Sequence, residues 1–364
     1  MGDSYATVKV AAVQAASVFL DREGSTEKAC RLIREAGQNG ARVIGFPEGF
    51  IPAHPVWYHH HAATSAIANR LAVELFKNAV EIPGPEIDAL CEAARVANAY
   101  VVVGVCEKLP QTTGSMFNTQ VYIGPDGTLI RKHQKIMPTV GERLVHMGGY
   151  GDTFGAFPSE FGPMSGLICG ENSNPLAIFA LIAEGTRIHV MSWPNHFPTS
   201  GDPLRNRVAI DSQAFAQMSK AFVISACGTV DERMIEMLQA NPAGEKFLRD
   251  PNCCGGSLIV NPFSRIIAGP MGAEEGILYA ECNLDLGIQM KLRHDFAGHY
   301  NRPDIFQLHV NRAAPQLYSV HGVEPRGLLP DATAVRALPA QTPRLESQKA
   351  DEGPIAASVP PPGE

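Results

Sequence analysis

Three short segments of the chain each carry one side chain suited to attack on a carbon–nitrogen bond. Glu48 follows the apolar run 42–46, Lys135 ends the second arm of a hairpin, and Cys169 follows the apolar run 164–168. A carboxylate can accept a proton, an ammonium can stabilise developing negative charge, and a thiolate can add to an electrophilic carbon. The three residue types together predict covalent catalysis by a thiol.

Cys169 lies at a predicted strand-to-helix turn. Asn174 and Pro175 have the residue types of a helix N-cap and a first helical position. The positive end of a helix dipole lowers the pKa of a nearby thiol, so the pattern predicts a reactive thiolate. The alternative is a buried structural cysteine. His294 and His299 follow later in the chain, which leaves a cysteine–histidine pair open as well.

Glu48 and Lys135 each have a functional and a structural interpretation. A carboxylate placed after a buried strand is costly without a role, and an apolar pocket raises its pKa toward that of a general base near neutrality. The alternative for Glu48 is a salt bridge at the rim of the fold. Strand alternation places Arg131, His133 and Lys135 on one face, where Lys135 either faces a pocket or is a solvated charge.

Glu142 is a fourth candidate, seven residues past Lys135 in the segment 138–146. A loop of this length can return a second carboxylate to the same pocket, where it would bind Lys135 and position a water molecule. A surface pair with Arg143 explains the spacing equally well.

Candidates for a substrate pocket are weaker than those for catalysis. Trp193 and Pro194 close a predicted strand, where they fit a pocket wall and a core position equally, and Tyr58 is a third candidate. The consecutive histidines 59–61 do not have the spacing of metal ligands on one helix face. No cysteine or histidine spacing fits zinc, and residues 148–151 lack the lysine of a phosphate loop, so neither a metal nor a cofactor is predicted.

Strands and helices alternate along the chain, which predicts an α/β layered fold with mixed sheets. A hairpin is predicted over 117–135, with the turn signal Pro125-Asp126-Gly127. The predicted helices are 25–37 with Ser25 as a possible N-cap, 64–79, 85–97, 175–184 and 204–220. The predicted strands are 8–16, 41–46, 99–106, 187–193, 221–230, 257–261, 265–269 and 277–283.

Composition narrows the class of protein. The 364 residues are 45% hydrophobic and carry a formal net charge of −7, so the chain can bury a large core and nothing favours a nucleic-acid partner. There is no apolar run of membrane-spanning length and no signal-peptide pattern at the N-terminus. Eight cysteines without paired spacing predict reduced thiols and a cytoplasmic location.

The C-terminal end differs in character from the rest of the chain. Residues 322–364 contain eight prolines and no aromatic residue. Such a segment cannot bury enough apolar surface to fold, so it is predicted to be a flexible tail. The domain is accordingly predicted over residues 1–321.

The segments around Glu48, Lys135 and Cys169 resemble the signatures of the nitrilase branch of the carbon–nitrogen hydrolase superfamily. The resembling segments are FPEGF, RKHQKIMPTVGERLVH and GLICGENSNPLA. The resemblance covers roughly residues 7–310 and implies a four-layer α-β-β-α sandwich with two mixed sheets. It also implies that Glu48 is the general base, Lys135 the transition-state stabiliser, Cys169 the nucleophile and Glu142 an additional active-site glutamate.

The implied activity is hydrolysis of an organic nitrile to a carboxylic acid and ammonia through a covalent intermediate on Cys169, without a cofactor. The same residues would serve a cyanide hydratase or dihydratase or an aliphatic amidase, and a silent interaction protein on this fold is a further alternative that the intact Glu48, Lys135 and Cys169 disfavour. Gly170 stands where many nitrilases carry tryptophan, which bears on substrate size. The family also implies a homo-oligomer built from dimers, with the apolar helix 175–185 at a subunit contact.

Overall fold

The computed structural model describes residues 3–198 and 201–314. The predicted tail 322–364 lies outside the described residues, so its flexibility stays a prediction. Within the described part of the chain, no helix combines the length and hydropathy needed to cross a membrane.

Two β-sheets form the centre of the structure. The first sheet has the order β12-β1-β2-β3-β4-β5, with β6 paired to β4, and the second has the order β11-β10-β9-β8-β7. The strands are β1 Thr7–Gln14, β2 Val43–Gly45, β3 Tyr100–Lys108, β4 Met116–Ile123, β5 Leu129–Gln134, β6 His146–Met147, β7 Met164–Ile168, β8 Ile188–Trp193, β9 Phe222–Cys227, β10 Leu258–Val260, β11 Ile266–Ala268 and β12 Gly276–Asn283. The α-helices are α1 Arg22–Gln38, α2 Ala66–Asn78, α3 Pro85–Ala97, α4 Pro175–Ala183, α5 Leu204–Ser219, α6 Glu232–Leu238, α7 Pro242–Leu248 and α8 Asp285–Lys291.

Alternation along the strands of the first sheet explains its place in the fold. On β1, Val10 and Ala12 pack into the core between the two sheets, whereas Ala11 and Val13 pack into a different core that includes residues of α1 and α3. Adjacent residues of a strand point to opposite faces, so a strand that is apolar at every position must be covered on both sides. One face of this sheet therefore carries helices and the other faces the second sheet.

The second sheet repeats this arrangement. Val190 of β8 and Ile224 of β9 join the core between the sheets, whereas Met191 and Val223 pack with the apolar residues of α4 and α5. The layers thus run helix, sheet, sheet, helix, which confirms the four-layer α-β-β-α sandwich with two mixed sheets. Both sheets are mixed because parallel pairs at their centres adjoin antiparallel neighbours.

The local predictions were wrong in a few places. Ser25 is not an N-cap: α1 begins one turn earlier, and its cap is Asp21, whose carboxylate accepts from the Gly24 amide. Ser25 lies inside the helix, fully buried, with its hydroxyl bonded to the Val18 carbonyl. Helices α6, α7 and α8 were not predicted, because each has only seven residues and too few turns for a periodic signal.

The two sheets bring their loops together at one end of the sandwich. Strands β1, β2 and β3 of the first sheet are parallel, and so are strands β7, β8 and β9 of the second. Within each sheet, the carboxyl ends of these three strands therefore lie at one edge. The Glu48 amide donates to the Trp193 carbonyl at 3.0 Å, and the Ser192 hydroxyl donates to the Phe46 carbonyl at 2.7 Å. The loop after β2 is therefore fixed to the end of β8, and ligand sites commonly form at such strand ends.

Candidate active site

Lys135 lies between two buried carboxylates. Its Nζ donates to Glu48 Oε1 and to Glu142 Oε2, both at 2.7 Å. The three side chains are at most 1% exposed. The structure therefore places Lys135 in the interior rather than on a solvated surface, and places Glu142 beside it rather than in a pair with Arg143, which donates to the Pro138 carbonyl instead.

Local structure explains how these residues reach one another. Lys135 follows β5 directly, and its amide donates to the Asn118 carbonyl of β4, which fixes the direction of the chain as it leaves the sheet. Glu142 lies in a 3-10 helix, Val140–Leu144, and the amide of the N-cap residue Thr139 donates to Glu142 Oε2 at 2.8 Å. The loop predicted to return this carboxylate to the lysine is thus held by its own backbone.

Three further polar residues complete the cluster, and the sequence did not single them out. Asn118 donates from Nδ2 to both Glu48 Oε1 and Glu142 Oε1, at 2.7 Å each. His146 Nδ1 lies 3.1 Å from Glu142 Oε1, and His54 Nδ1 lies 3.7 Å from Glu48 Oε1. An asparagine in FNTQ and a histidine eleven residues past Lys135 carry no motif by themselves, so only the folded hairpin reveals them.

The two carboxylates differ in how completely they are hydrogen-bonded. Both oxygens of Glu142 accept donors, from Lys135, Thr139, Asn118 and His146. By contrast, Glu48 Oε2 has no hydrogen-bond partner among the described residues, although it is buried. A buried lone pair without a donor is available to accept a proton.

The electrostatics of the cluster follow from one ammonium facing two carboxylates. Burial raises the pKa of Glu48 to about 7, with Lys135 opposing the shift and Glu142 adding to it. Burial also acts against ionised Glu142, yet Lys135 and His146 hold its pKa well below the usual range. Lys135 is desolvated too, but its two carboxylate partners raise its pKa well above the usual value. The cluster thus keeps one fixed ion pair and one carboxyl poised to exchange a proton.

Cys169 follows β7 and begins the 3-10 helix Cys169–Ser173, directly before α4. Its φ is +51°, a left-handed conformation that a non-glycine residue adopts only when its surroundings enforce it. The α4 N-cap is Asn174, as predicted, and its side-chain oxygen accepts from the Leu176 and Ala177 amides. The nucleophile candidate therefore stands on a tightly held turn.

The prediction of a lowered thiol pKa is wrong. Burial raises the pKa of the Cys169 thiol well above its usual value, and the nearby Glu48 carboxylate raises it further against the opposing effect of Lys135. The prediction rested on the helix dipole, which lowers the pKa of a thiol. Desolvation of the buried thiol raises its pKa by more than the helix end lowers it. The thiol is consequently protonated at rest and needs a base.

Cys169 lines a cavity of about 410 Å³ that also includes two of the predicted pocket residues, Trp193 and Pro194. Tyr58, the third predicted pocket residue, does not line this cavity. Its half-buried side chain places the hydroxyl 3.0 Å from His54 Nε2. Burial, with the charges of Glu142 and Glu48 adding to it, raises the pKa of Tyr58 well above the usual value. The remaining lining residues are Thr139, Gly170, Phe197, Pro198, Asp202, Leu204, Asn206, Arg207, Ile210 and Asp211. Most of the wall is apolar, with the charged groups contributed by α5 and the loop before it.

Two alternative chemistries do not fit this geometry. His294 and His299 are exposed, whereas Cys169 is buried, so the structure does not pair the thiol with either imidazole. Glu48, His54 and Glu142 bring one ligand atom each within 4.8 Å of one another. The Lys135 ammonium, however, is bonded to both of these carboxylates and occupies the position that a cation would require.

Comparison with known proteins places this site in a family. The family model for carbon-nitrogen hydrolase matches residues 9–291. The chain is 35% identical to Nitrilase 2 of an unknown prokaryotic organism over 86% of its own length and 95% of the relative's. It is 34% identical to the aliphatic nitrilase of Sinorhizobium fredii (strain HH103), over 83% and 95%.

Solved structures agree on the fold. The C. elegans NitFhit protein matches with a TM-score of 0.65 at 17% identity, over 86% of this chain and 70% of that one. Saccharomyces cerevisiae Nit3, a member of branch 10 of the nitrilase superfamily, matches with a TM-score of 0.61 at 20% identity, over 82% and 97%. At these identities the likeness shows the fold alone.

The chain belongs to the carbon–nitrogen hydrolase family, and within it to the nitrilase branch. It is an enzyme of the class that hydrolyses carbon–nitrogen bonds other than peptide bonds.

Proposed function

We propose that the enzyme hydrolyses an organic nitrile to the carboxylic acid and ammonia, with Cys169 as nucleophile. The observation that carries this proposal is the state of Glu48: burial raises its pKa to about 7, and one of its buried oxygens has no donor within residues 3–198 and 201–314. A base with these properties suits a protonated thiol, since it can take the proton at neutral pH and return it later. Relatives named nitrilase and aliphatic nitrilase support the choice of substrate.

In the first step, Glu48 takes the Cys169 proton and sulfur adds to the nitrile carbon. The nitrogen gains that proton, which leaves a neutral thioimidate bonded to Cys169. Lys135 stabilises the negative charge that develops on nitrogen, because a buried ammonium acts strongly on a nearby anion in a site that excludes water.

In the second step, water adds to the thioimidate carbon with Glu48 as the base. The nitrogen leaves as ammonia and an acyl-thioester remains on Cys169. A second water then attacks the acyl carbon, the carbon–sulfur bond breaks, and the acid departs while sulfur regains its proton. Glu142, with four donors of its own, holds Lys135 in place and would position the attacking water.

The experiment that tests this proposal is an ammonia-release assay across aliphatic nitriles, arylacetonitriles, cyanide and the matching amides. The proposal expects acid and ammonia from nitriles. It also expects that Cys169→Ala abolishes turnover, whereas Cys282→Ala, which changes another buried thiol, in β12, leaves it intact.

Other outcomes would revise the proposal in defined ways. Ammonia from amides alone would make the enzyme an amidase, and formamide from cyanide without ammonia would make it a cyanide hydratase. No product from any of these compounds, or more than a few per cent of activity in Cys169→Ala, would overturn the covalent mechanism.

A further inference from the structure

Glu171 joins the two loops that carry Lys135 and Cys169. Its Oε2 accepts from the Ile168 amide at 2.9 Å, and its Oε1 accepts from the Ile136 amide at 2.5 Å. Ile168 directly precedes Cys169 and Ile136 directly follows Lys135 in the chain. One carboxylate therefore holds the backbone beside the proposed nucleophile and beside the proposed stabilising ammonium.

A third donor fixes this carboxylate in turn. His133 Nε2 lies 3.0 Å from Glu171 Oε2, and both side chains are at most 3% exposed. A carboxylate oxygen can accept a hydrogen bond from an imidazole N–H, so the geometry fits Nε2 as the donor in this contact. Because His133 lies on β5, the contact ties Glu171 to the first sheet, while the Ile168 amide ties it to the second.

The turn that Glu171 holds is one that would not form by itself. The φ of +51° at Cys169 is unfavourable for a residue with a side chain. Two neighbours in sequence determine it: Glu171 holds the amide before Cys169, and Asn172 Nδ2 donates to the Cys169 carbonyl at 2.9 Å. Only Glu171, however, also reaches the loop after Lys135.

We propose that Glu171 is a positioning residue that sets the separation between the Cys169 thiol and the Lys135 ammonium. The reaction it serves is the one under the proposed function, but the contacts that carry the inference do not depend on the substrate. Glu171 touches neither reacting group, and it acts through the two adjoining amides. Misplacement of reacting groups by about 1 Å can lower a rate roughly a hundredfold.

The chain offers a matched control in Glu107. This carboxylate is also buried, lies on β3, and accepts from Thr119 at 2.8 Å, from Gln134 at 3.0 Å and from Lys132. These partners are side chains of β4 and β5, and although Gln134 directly precedes Lys135, Glu107 holds it by its side chain and does not hold a backbone amide of either catalytic loop. Each substitution removes a buried carboxylate that accepts from three donors. Only Glu171→Gln weakens the contacts to both the loop that carries Lys135 and the loop that carries Cys169.

The test compares Glu171→Gln with Glu107→Gln in the full chain. Three quantities are measured: kcat and KM on a nitrile substrate, the rate of Cys169 alkylation by iodoacetamide from pH 6 to 9, and Tm. In Glu171→Gln, the side-chain N–H group faces the backbone N–H of Ile136 or of Ile168. Two donors cannot bond each other, so the loops that carry Lys135 and Cys169 move apart. We expect kcat to fall about a hundredfold with KM changed by less than about threefold, and the alkylation profile to shift along pH. Glu107→Gln should lower Tm comparably and leave the other quantities unchanged.

Equal loss of kcat in the two variants, or unchanged kcat and alkylation in Glu171→Gln, would overturn the proposal. If Glu171→Gln does not fold, His133→Gln takes its place, because it removes one of the three contacts and keeps both amides. A fall in kcat of about tenfold supports the proposal, and an unchanged kcat with a lowered Tm overturns it. Alkylation requires no turnover, so an enzyme inactive on every nitrile would sink the proposed function and still leave Glu171 testable.

Discussion

Two lysines of the same hairpin each pair with buried carboxylates, and the two resulting clusters differ in charge balance. Lys132 pairs with the single carboxylate Glu107, while Lys135, three residues later, pairs with both Glu48 and Glu142. One ammonium neutralises one carboxylate, so the Lys132 cluster needs no exchangeable proton. The Lys135 cluster carries a second carboxylate whose charge is not balanced, and burial, with the Glu142 charge adding to it, raises the pKa of Glu48 to about 7. The comparison indicates that burial together with an unbalanced carboxylate distinguishes a chemical site from a structural one.

Exposure separates the two lysines as well. The side chain of Lys132 is 28% exposed, whereas that of Lys135 is 1% exposed. A partly exposed pair is screened by water and is worth little, while a buried pair is strongly coupled and costly to break. Substitution of Lys135 should therefore affect turnover far more than substitution of Lys132.

The largest effect is expected from Lys135→Ala and Lys135→Arg, each lowering kcat about a thousandfold or more. The arginine variant should fail because a planar guanidinium does not fit a site built for a compact ammonium. The same two substitutions at Lys132 should lower Tm by a few degrees and leave kcat within about threefold. Steady-state kinetics and thermal melts of the four variants check this, and near-parental activity in Lys135→Arg would remove Lys135 from the mechanism.

The next effect separates the two carboxylates that share Lys135. Glu48→Gln should lower kcat about a thousandfold, since an amide cannot take the thiol proton. Glu142→Gln should lower kcat by roughly ten- to a hundredfold, because it weakens the position of Lys135 without removing the base. Turnover measured for both variants under one set of conditions decides between these roles. Equal losses would mean that both carboxylates take part in proton transfer.

The pH profile tests the charge imbalance itself. Glu48 acts as a base only when ionised, and its pKa is raised to about 7, so the active fraction grows as pH rises through that value. We expect log kcat/KM to rise with unit slope below pH 7 and to level above it. The pKa of Glu142 is held well below its usual range, so Glu142 adds no second pH-dependent region to this profile near neutral pH. An acid limb near pH 4.5, the ordinary value for glutamate, would contradict the assignment of Glu48.

The smallest effect on turnover is expected from changes to the contact between subunits. We propose that the chain forms dimers, and larger assemblies from them, through α4. Leu176 on α4 is 63% exposed and Phe306 is 72% exposed, and both line an apolar cavity of about 690 Å³. Light scattering should show a species larger than 39.1 kDa for the full chain and for a chain ending at residue 321. Leu176→Asp should reduce it, whereas Ile267→Asp, at another exposed apolar position, should not. A fully active monomer would refute this proposal.

Alternating strands and helices predicted an α/β layered fold, and the family resemblance implied the four-layer sandwich. The places of Glu48, Lys135 and Cys169 were predictable because each depends on a strand end that periodicity reveals. Partners of these residues were harder to find. Asn118 bridges Glu48 and Glu142 from positions 70 and 24 residues away, and no local pattern links such distant residues. Glu171 stands inside the motif GLICGENSNPLA, but its contact to the Ile136 amide exists only once the two sheets pack.

The thiol shows a second limit of sequence reasoning. A strand followed by an N-cap correctly predicted the turn at Cys169 and the start of α4. The same pattern favoured a lowered pKa, since it reveals the helix end and says nothing about how closely the site excludes water. Burial and the Glu48 charge decide the sign, and Glu48 lies more than a hundred positions away in sequence.

The measurement that tests the central claim most directly is peptide mass spectrometry of the enzyme quenched during turnover of a slow nitrile. We expect an acyl or imidoyl adduct on Cys169 in the parent enzyme, none on the other seven cysteines, and far less adduct in Glu48→Gln than in Glu107→Gln. An adduct on another cysteine, or equal labelling of Cys169 in both glutamine variants, would contradict it.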